Sequence, residues 1–245
     1  MIYLYPKPNN ILFEFKFRSS EPEILDDFDL HGNDLTENLR ELEKVNQLLG
    51  GYSVVKEGIE WLLSFEKAKG TTLIDAGCGG GDTLRELLAW SRHKAYKFQL
   101  IGVDANPEGI AYCKSVSPAE IQFLNINILS DKFKALKADV VMFNLFLHHF
   151  TNEQIIEFLK HARASGSAVL INDLHRSKLA YHLFRLASRI FNFSHISRHD
   201  GKLSVKKSFT KKDWHRILKA AGITNYSIQW KWAFRYLLLI PSRNT

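Results

Sequence analysis

Two sets of residues in this chain have types and spacings that could do chemistry. The first is Asp75-Ala-Gly-Cys-Gly-Gly-Gly-Asp82, which breaks an apolar run with glycines at 77, 79 and 81, together with Gly102-Val-Asp104 further on. Alternating glycines let the backbone take φ > 0 and let a ligand approach where a Cβ would stand in the way. The carboxylates at both ends of the turn say which ligand. A pyrophosphate wants N–H groups and the positive end of a helix dipole, and here it would meet Asp75 and Asp82. The dinucleotide fingerprint GxGxxG fails, since its third glycine falls on Asp82, and the phosphate loop GxxxxGKS/T is absent. A positively charged ligand is better served, and Asp104 can accept hydrogen bonds from both hydroxyls of a ribose. The second set is His148 and His149, which close the run beginning Ala138-Asp-Val-Val-Met-Phe-Asn144, and His175 and Arg176, which follow Ile171-Asn-Asp-Leu174. Imidazoles exchange protons near neutral pH, so the three histidines are general-base candidates. Arg176 can orient a phenolate, carboxylate or enolate by paired hydrogen bonds.

The elements that must position these residues read as alternating strands and helices. Short aliphatic runs at Thr72–Asp75, Phe98–Asp104, Ile121–Leu124, Asp139–Phe143 and Ala168–Asn172 are separated by helical patterns starting near Asp82, Pro107 and Asn152, with another near Lys211. That order predicts a parallel sheet covered on both faces. Residues 223 to 240 offer two strands with no room for a crossover helix, hence an antiparallel pair at the edge. The expected fold is α/β: a doubly wound, mostly parallel seven-stranded sheet with an antiparallel edge strand. Two helical patterns precede the first strand. One carries Leu35, Leu39, Leu42, Val45 and Leu49 and ends at Gly50-Gly51; the other, from about Ser53 to Ala68, carries Val54, Ile59, Leu62, Leu63 and Phe65. They are expected to cap the sheet, which divides the chain into an N-terminal segment and helical cap (1–70) and a core (71–245) with an insertion at about 174–208. The insertion helix has Leu179, Leu183, Leu186 and Ile190 on one stripe and His182, Arg185 and Arg189 on another. It reads first as a wall of the acceptor pocket, with a plain surface face and a peripheral membrane contact as alternatives. Ile11–Phe17 alternates as a short strand would.

Taken together, Asp75-Ala-Gly-Cys-Gly-Gly-Gly81 and Gly102-Val-Asp104 resemble the first two motifs of class I S-adenosylmethionine-dependent methyltransferases. The resemblance covers roughly residues 50 to 240. It implies that the glycine turn (Asp75, Gly77, Cys78, Gly79, Gly81) faces the methionine part of S-adenosyl-L-methionine, and that Asp104 and Ala105 meet the ribose. Asn127 and Ile128 would meet the adenine, with Asn127 where an acid is usual, and Asn144 would stand at the end of the fourth strand. There is no Asn-Pro-Pro-Tyr and no Pro-Cys nucleophile at that strand, so the likeness is to the small-molecule branch, the quinone-biosynthesis-like and polyketide-associated enzymes. Methyl transfer from a sulfonium mainly requires alignment of donor and acceptor, and a base helps when the acceptor is a phenol with pKa near 10. The expected activity is therefore methylation, at oxygen, of a small aromatic or polyketide-like acceptor, leaving S-adenosyl-L-homocysteine. His148, His149 and His175 would serve as catalytic residues and Arg176 would hold the substrate.

Composition bounds the alternatives. At 245 residues and 45% hydrophobic content the chain can bury a full core. Its two cysteines, Cys78 and Cys113, form no CxxC pair, which fits a reducing compartment, and neither a signal-peptide pattern nor a ~20-residue apolar span is present, so a cytoplasmic location is expected. The net charge of +7 is uneven: residues 1–60 hold six Lys/Arg against twelve Asp/Glu, residues 160–219 fourteen against three. The basic half raises RNA methylation as a rival, but it lacks an interleaved aromatic platform, so nucleic acid is not the expected partner. A cofactor-binding fold kept as a non-catalytic partner is the other rival. No metal is expected: His195 and His199 are four apart without a third ligand in a stretch that reads as a loop, and Asn144 stands where a magnesium site would want a carboxylate. The oligomeric state is not legible.

Overall fold

The computed structural model describes residues 15–26, 32–64 and 70–242. Seven strands form one sheet in the order β3-β2-β1-β4-β5-β7-β6. They are β1 (Thr71–Ala76), β2 (Phe98–Asp104), β3 (Ile121–Asn125), β4 (Val140–Asn144), β5 (Ala168–Leu174), β6 (Ser227–Lys231) and β7 (Arg235–Ile240). β1 to β5 are parallel; β7 runs antiparallel to both β5 and β6. This is the expected doubly wound sheet with an antiparallel edge. Because β1 has β2 on one side and β4 on the other, the strand order reverses there, and the crevice outside their carboxyl ends is where such sheets bind ligands. Asp75, next to the last residue of β1, and Asn144, the last of β4, stand on the two strands that flank it.

Alternation along the strands feeds two apolar layers, which is why the runs read as continuously hydrophobic. On one face Ile74, Val103, Phe143 and Ile171 pack with Ile155 and Leu159 of α6 (Asn152–Ser165) and with Trp214 and Ile217 of α9 (Lys211–Ala220). On the other, Leu73, Leu100, Met142, Leu170 and Leu237 pack with Val55 and Ile59 of α2 (Gly51–Leu63), Leu84 and Leu87 of α3 (Asp82–Lys94), and Ile110 and Cys113 of α4 (Pro107–Val116), while the short α5 (Asp131–Lys134) adds Phe133 to the first layer. Each such side chain contributes about 1.5–3 kcal/mol by leaving water. Cap chemistry fixes the helix starts: Asn106 accepts from Glu108 N and Gly109 N ahead of Pro107, and Thr151 with Gln154 and Thr210 with Asp213 form capping boxes.

The two N-terminal helices have different duties. α1 (Gly32–Leu48) lies over the glycine turn, with Leu39 3.4 Å from where a Cβ on Gly80 would stand. α2 rides on the sheet itself: a Cβ on Gly58 would fall 2.7 Å from Leu170 Cδ1, so only glycine lets the helix come so close to β5. Of the expected helix to Ala68, Phe65 falls outside the described residues, as does most of the strand expected over Ile11–Phe17; Phe15, Lys16 and Phe17 form a turn.

The insertion departs from expectation twice. It holds two helices, α7 (Lys178–Ile190) and α8 (His195–Lys207), so His195 and His199 lie on a helix and not in a loop. Ser194 caps it, accepting from Ser197 N, and is held by Glu41, whose carboxylate accepts from Ser194 N and Oγ. The apolar stripe of α7 also faces outward: Leu179, Leu183, Leu186 and Ile190 are exposed. The side of α7 that is covered carries Ala180 and Ser188, and Phe184 presses against Gly201 of α8, where a Cβ would fall 2.1 Å from the ring. Small residues bring the two helices together and leave the leucines in solvent. No helix among the described residues is long and apolar enough to cross a membrane.

Candidate active site

The glycine turn leaves β1 with Gly77, Gly79 and Gly81 at φ +77°, +50° and +71°, which other residues reach only under strain. Gly77 N and Cys78 N donate to Val103 O, and Gly79 N donates to Asp104 Oδ2 at 3.0 Å, so the turn is tied to the end of β2. Asp104 Oδ1 accepts from Asn106 N at 2.9 Å. Burial raises the Asp104 carboxyl above the usual range although these N–H groups pull the other way. Asp75 is raised much further, by burial and then by the charges of Asp82 and Asp104, and its Oδ1 has no hydrogen-bond partner. Asp82 accepts from Asn46 Nδ2 and Tyr52 Oη, and burial raises its carboxyl too. Three carboxylates thus crowd one turn at an electrostatic cost that a cation would relieve.

The remaining residues of this side contribute unequally. Cys78 is buried and offers the cradle backbone only. Ala105 is pinned through its carbonyl by Asn125 Nδ2, which also donates to Asp104 O. Asn127 is exposed and accepts from Leu129 N at 2.9 Å in a local turn, while the Ile128 side chain belongs to the core. Asn144 donates to Thr83 Oγ1 at 3.0 Å and accepts from Asn172 Nδ2 at 2.7 Å, which locks the end of β4 to α3 and β5. Beyond it Phe146 covers Gly77, whose Cβ would fall 2.3 Å from the ring.

A 3-10 turn at Leu147–His149 carries the two adjacent histidines into a charged cluster. His148 is buried; its Nδ1 donates to Asp173 Oδ1 at 2.8 Å, and Asp173 Oδ2 accepts from His148 N at 3.2 Å. Burial opposes charge on His148, but the Asp173 carboxylate outweighs it and the imidazole pKa rises; the same pairing overcomes burial and lowers Asp173. His149 is partly open and donates from Nδ1 to Asp26 Oδ1 at 2.6 Å. Burial would raise the Asp26 carboxyl, yet the His149 hydrogen bond and charge hold it well below the usual range. Both Nε2 atoms lie 3.9 Å from the Glu23 carboxylate. Glu23, His148 and His149 are the one group among the described residues whose side chains could hold a metal ion together. A cation of the chain's own already serves these carboxylates: Lys207 Nζ is 3.3 Å from Glu23 Oε1 and 3.1 Å from Asp26 Oδ2. Arg18 closes the cluster from behind, donating to the carbonyls of His148, Phe150 and Lys207 and lying over the Phe209 ring.

His175 and Arg176 are not brought to this cluster. His175 accepts from Trp230 Nε1 at 3.3 Å and packs on Tyr236 at the β6–β7 edge, and its pKa is lowered by burial and by Arg176. Arg176, expected at the substrate, is buried here: Nε donates to Phe15 O, Nη1 to Ser208 O and Nη2 to Asp213 Oδ2, which ties it to the start of α9. Glu23, Asp26, Asp173 and Lys207 are the residues that motif reading missed. Asp173 had a signal, an acid inside an apolar strand run, and the other three had none.

The family model for a methyltransferase domain matches residues 67–222. The chain belongs to this methyltransferase family. No curated protein matches the sequence. Among solved structures, the plantazolicin methyltransferase BpumL in complex with S-adenosylhomocysteine superposes with a TM-score of 0.60 at 16% identity, covering 86% of this chain and 100% of the other. An O-methyltransferase family protein from Burkholderia thailandensis gives 0.64 at 20%, covering 93% and 66%. Human N-acetylserotonin methyltransferase with S-adenosylmethionine gives 0.58 at 16%, covering 91% and 63%. These likenesses establish a Rossmann-like methyltransferase fold. The residues of this methyltransferase fit S-adenosylmethionine: the unpartnered Asp75 Oδ1 and the raised carboxylates suit a ligand carrying sulfonium and ammonium charge, and at Gly79 the nearest side-chain atom to a Cβ would be 3.9 Å away, which leaves the backbone open to a ligand.

Proposed function

We propose that this methyltransferase transfers the methyl group of S-adenosyl-L-methionine to the oxygen of a small aromatic or polyketide-like acceptor, with His149 as general base. The observation that carries this reading is the position of His149 between the two halves of the site. Its ring is 6.0 Å from Phe146, which covers Gly77 at the glycine turn. On the other side Asp26 holds Nδ1, which leaves Nε2 as the acceptor of a proton. His148 is deeper, and His175 stands apart. Asp75, Gly77, Gly79, Gly81 and Asp104 would hold the donor, with the backbone of Cys78 and Ala105 and with Asn127, Ile128 and Asn144 around it. The donor supplies a methyl group on a sulfonium and leaves as a neutral thioether. The acceptor hydroxyl gives its proton to His149 Nε2 as its oxygen takes the methyl, and the Asp26 carboxylate balances the imidazolium so formed. Phe146 and Phe150, edge to face at 5.0 Å, offer aromatic surface beside that hydroxyl.

The test is a transfer assay with labelled donor over phenols, quinols, polyketide-like enols and RNA. Label on a small hydroxyl, lost in His149→Gln while donor binding persists, is the expected result. Label in RNA would overturn the acceptor class. Unchanged turnover in His149→Gln would overturn the base.

A further inference from the structure

We propose that the outer face of α7 and α8 docks on an anionic membrane surface. Leu179, Leu183, Leu186 and Ile190 recur at three- and four-residue spacing and are 57%, 43%, 57% and 69% exposed, with Phe191 continuing the line at 57%. An apolar stripe of that length on a folded chain is a surface that something covers. It cannot turn inward, because α7 is held to α8 by Phe184 against Gly201. Beside the stripe α7 carries Lys178, His182, Arg185 and Arg189, and no acidic residue occurs between Lys178 and Ile190. The neighbouring groove between α7 and α8, about 230 Å³, is lined by Arg185, Arg189, His195, Arg198, His199 and Lys202. Beside it, Asp200 is buried and accepts from Ile24 N and Leu25 N as well as from His199 Nδ1. Arg198 bonds Asn192 Oδ1 through one terminal nitrogen while its Nε has no partner.

The charge pattern selects the occupant. An apolar stripe flanked by Lys and Arg is the arrangement by which a helix lies in a lipid interface, the stripe among acyl chains and the cations among phosphates. A second copy of this chain is a poor match, because a two-fold contact would set the cationic groove against itself. α8 packs on the Leu147–His149 turn on its inner side, so docking would bring the acceptor side of the molecule to the lipid. The docking does not depend on which acceptor is methylated.

The experiment is flotation of the full-length protein with vesicles of phosphatidylcholine alone and of phosphatidylcholine mixed with phosphatidylglycerol. Co-flotation with the anionic vesicles, weakening as salt shortens the reach of the charges, is expected. The double variants Leu183→Glu/Leu186→Glu and Arg185→Glu/Arg189→Glu should each lower the partition at least roughly tenfold. Both should keep the parent melting temperature and affinity for S-adenosyl-L-homocysteine, which separates lost docking from lost fold. Absence of co-flotation, or equal binding by parent and variants, would overturn the proposal. So would sedimentation showing a dimer that the leucine variant dissolves, which would make the stripe a contact between copies.

Discussion

The proposed donor cradle is built from the glycine turn and the neighbouring end of β2, whereas the proposed acceptor side is assembled from five separate pieces of chain. In the cradle, glycines set the backbone and Asp75, Asp82 and Asp104 stand close together, each carboxyl raised by burial and Asp75 further by the other two. On the acceptor side Arg18, the Glu23–Asp26 turn, His148 and His149, Asp173 and Lys207 arrive from distant positions and satisfy one another's charge. The difference teaches where each half meets its ligand. A cradle whose carboxylates are raised by burial and by one another gains when a cation binds; a cluster whose carboxylates already have basic partners gains little from a further charge and serves to aim an imidazole.

The sharpest break of this contrast is His149→Gln. Turnover should fall by about 10²–10⁴, the usual contribution of a general base, with donor affinity unchanged by calorimetry. A parallel loss of donor affinity would mean that His149 belongs to the cradle. Lys207→Met should come next, read as stability. Removing one partner of a buried ion pair costs about 3–5 kcal/mol because Glu23 is left without its cation. Urea unfolding measures this, and a near-neutral result would show that the cluster is not closed by Lys207. Asp104→Ala should cost about 1.5–3 kcal/mol of donor affinity, the worth of hydrogen bonds to a charged group, with saturated turnover nearly kept. Unchanged binding would remove Asp104 from the cradle.

A smaller effect separates the two histidines. The pKa of His148 is raised in the fold, so its pairing contributes fully below the unfolded value of about 6.5 and is lost as pH rises through the folded value. Asp173 is lowered, so its share is present above its unfolded value of about 3.9 and is lost as pH falls through the folded one. The stability gap between the parent and Asp173→Asn should therefore narrow as pH climbs above about 6.5. A gap of constant size in urea titrations across that range would show that the pair does not titrate on folding.

The contrast also explains what could be read from the chain. The glycine turn and strand ends were legible because their chemistry is local: positive φ at 77, 79 and 81, an acid at the end of each of two apolar runs, Asn106 before Pro107. His175 and Arg176 were not, because a residue's use depends on partners far along the chain. Arg176 is taken by Phe15, Ser208 and Asp213, and His175 by Trp230. The second insertion helix was hidden by Gly201, a poor helix former whose reason is the Phe184 ring against it. The stripe on α7 had the spacing of a buried face, and only the packing of Ala180, Phe184 and Ser188 on the other side shows that it points to solvent.

The smallest expected effect is that of chelation. His148 and His149 have the geometry from which metal sites are built, each Nδ1 held by a carboxylate and each Nε2 turned to Glu23. What separates this cluster from such a site is Lys207, whose ammonium lies against Glu23 and Asp26 and would repel a second cation at that range. Turnover should therefore survive prolonged treatment with a chelator. Loss of turnover restored by an added divalent ion would mean that Lys207 swings out and that the acceptor side takes its charge from solution. Lys207→Met extends the same test. With the ammonium gone and Glu23 left unpaired, this variant, and not the parent, should gain stability from added zinc, read as a rise in melting temperature. A parent that gains as much would break the contrast between a cradle that awaits a cation and a cluster that carries its own.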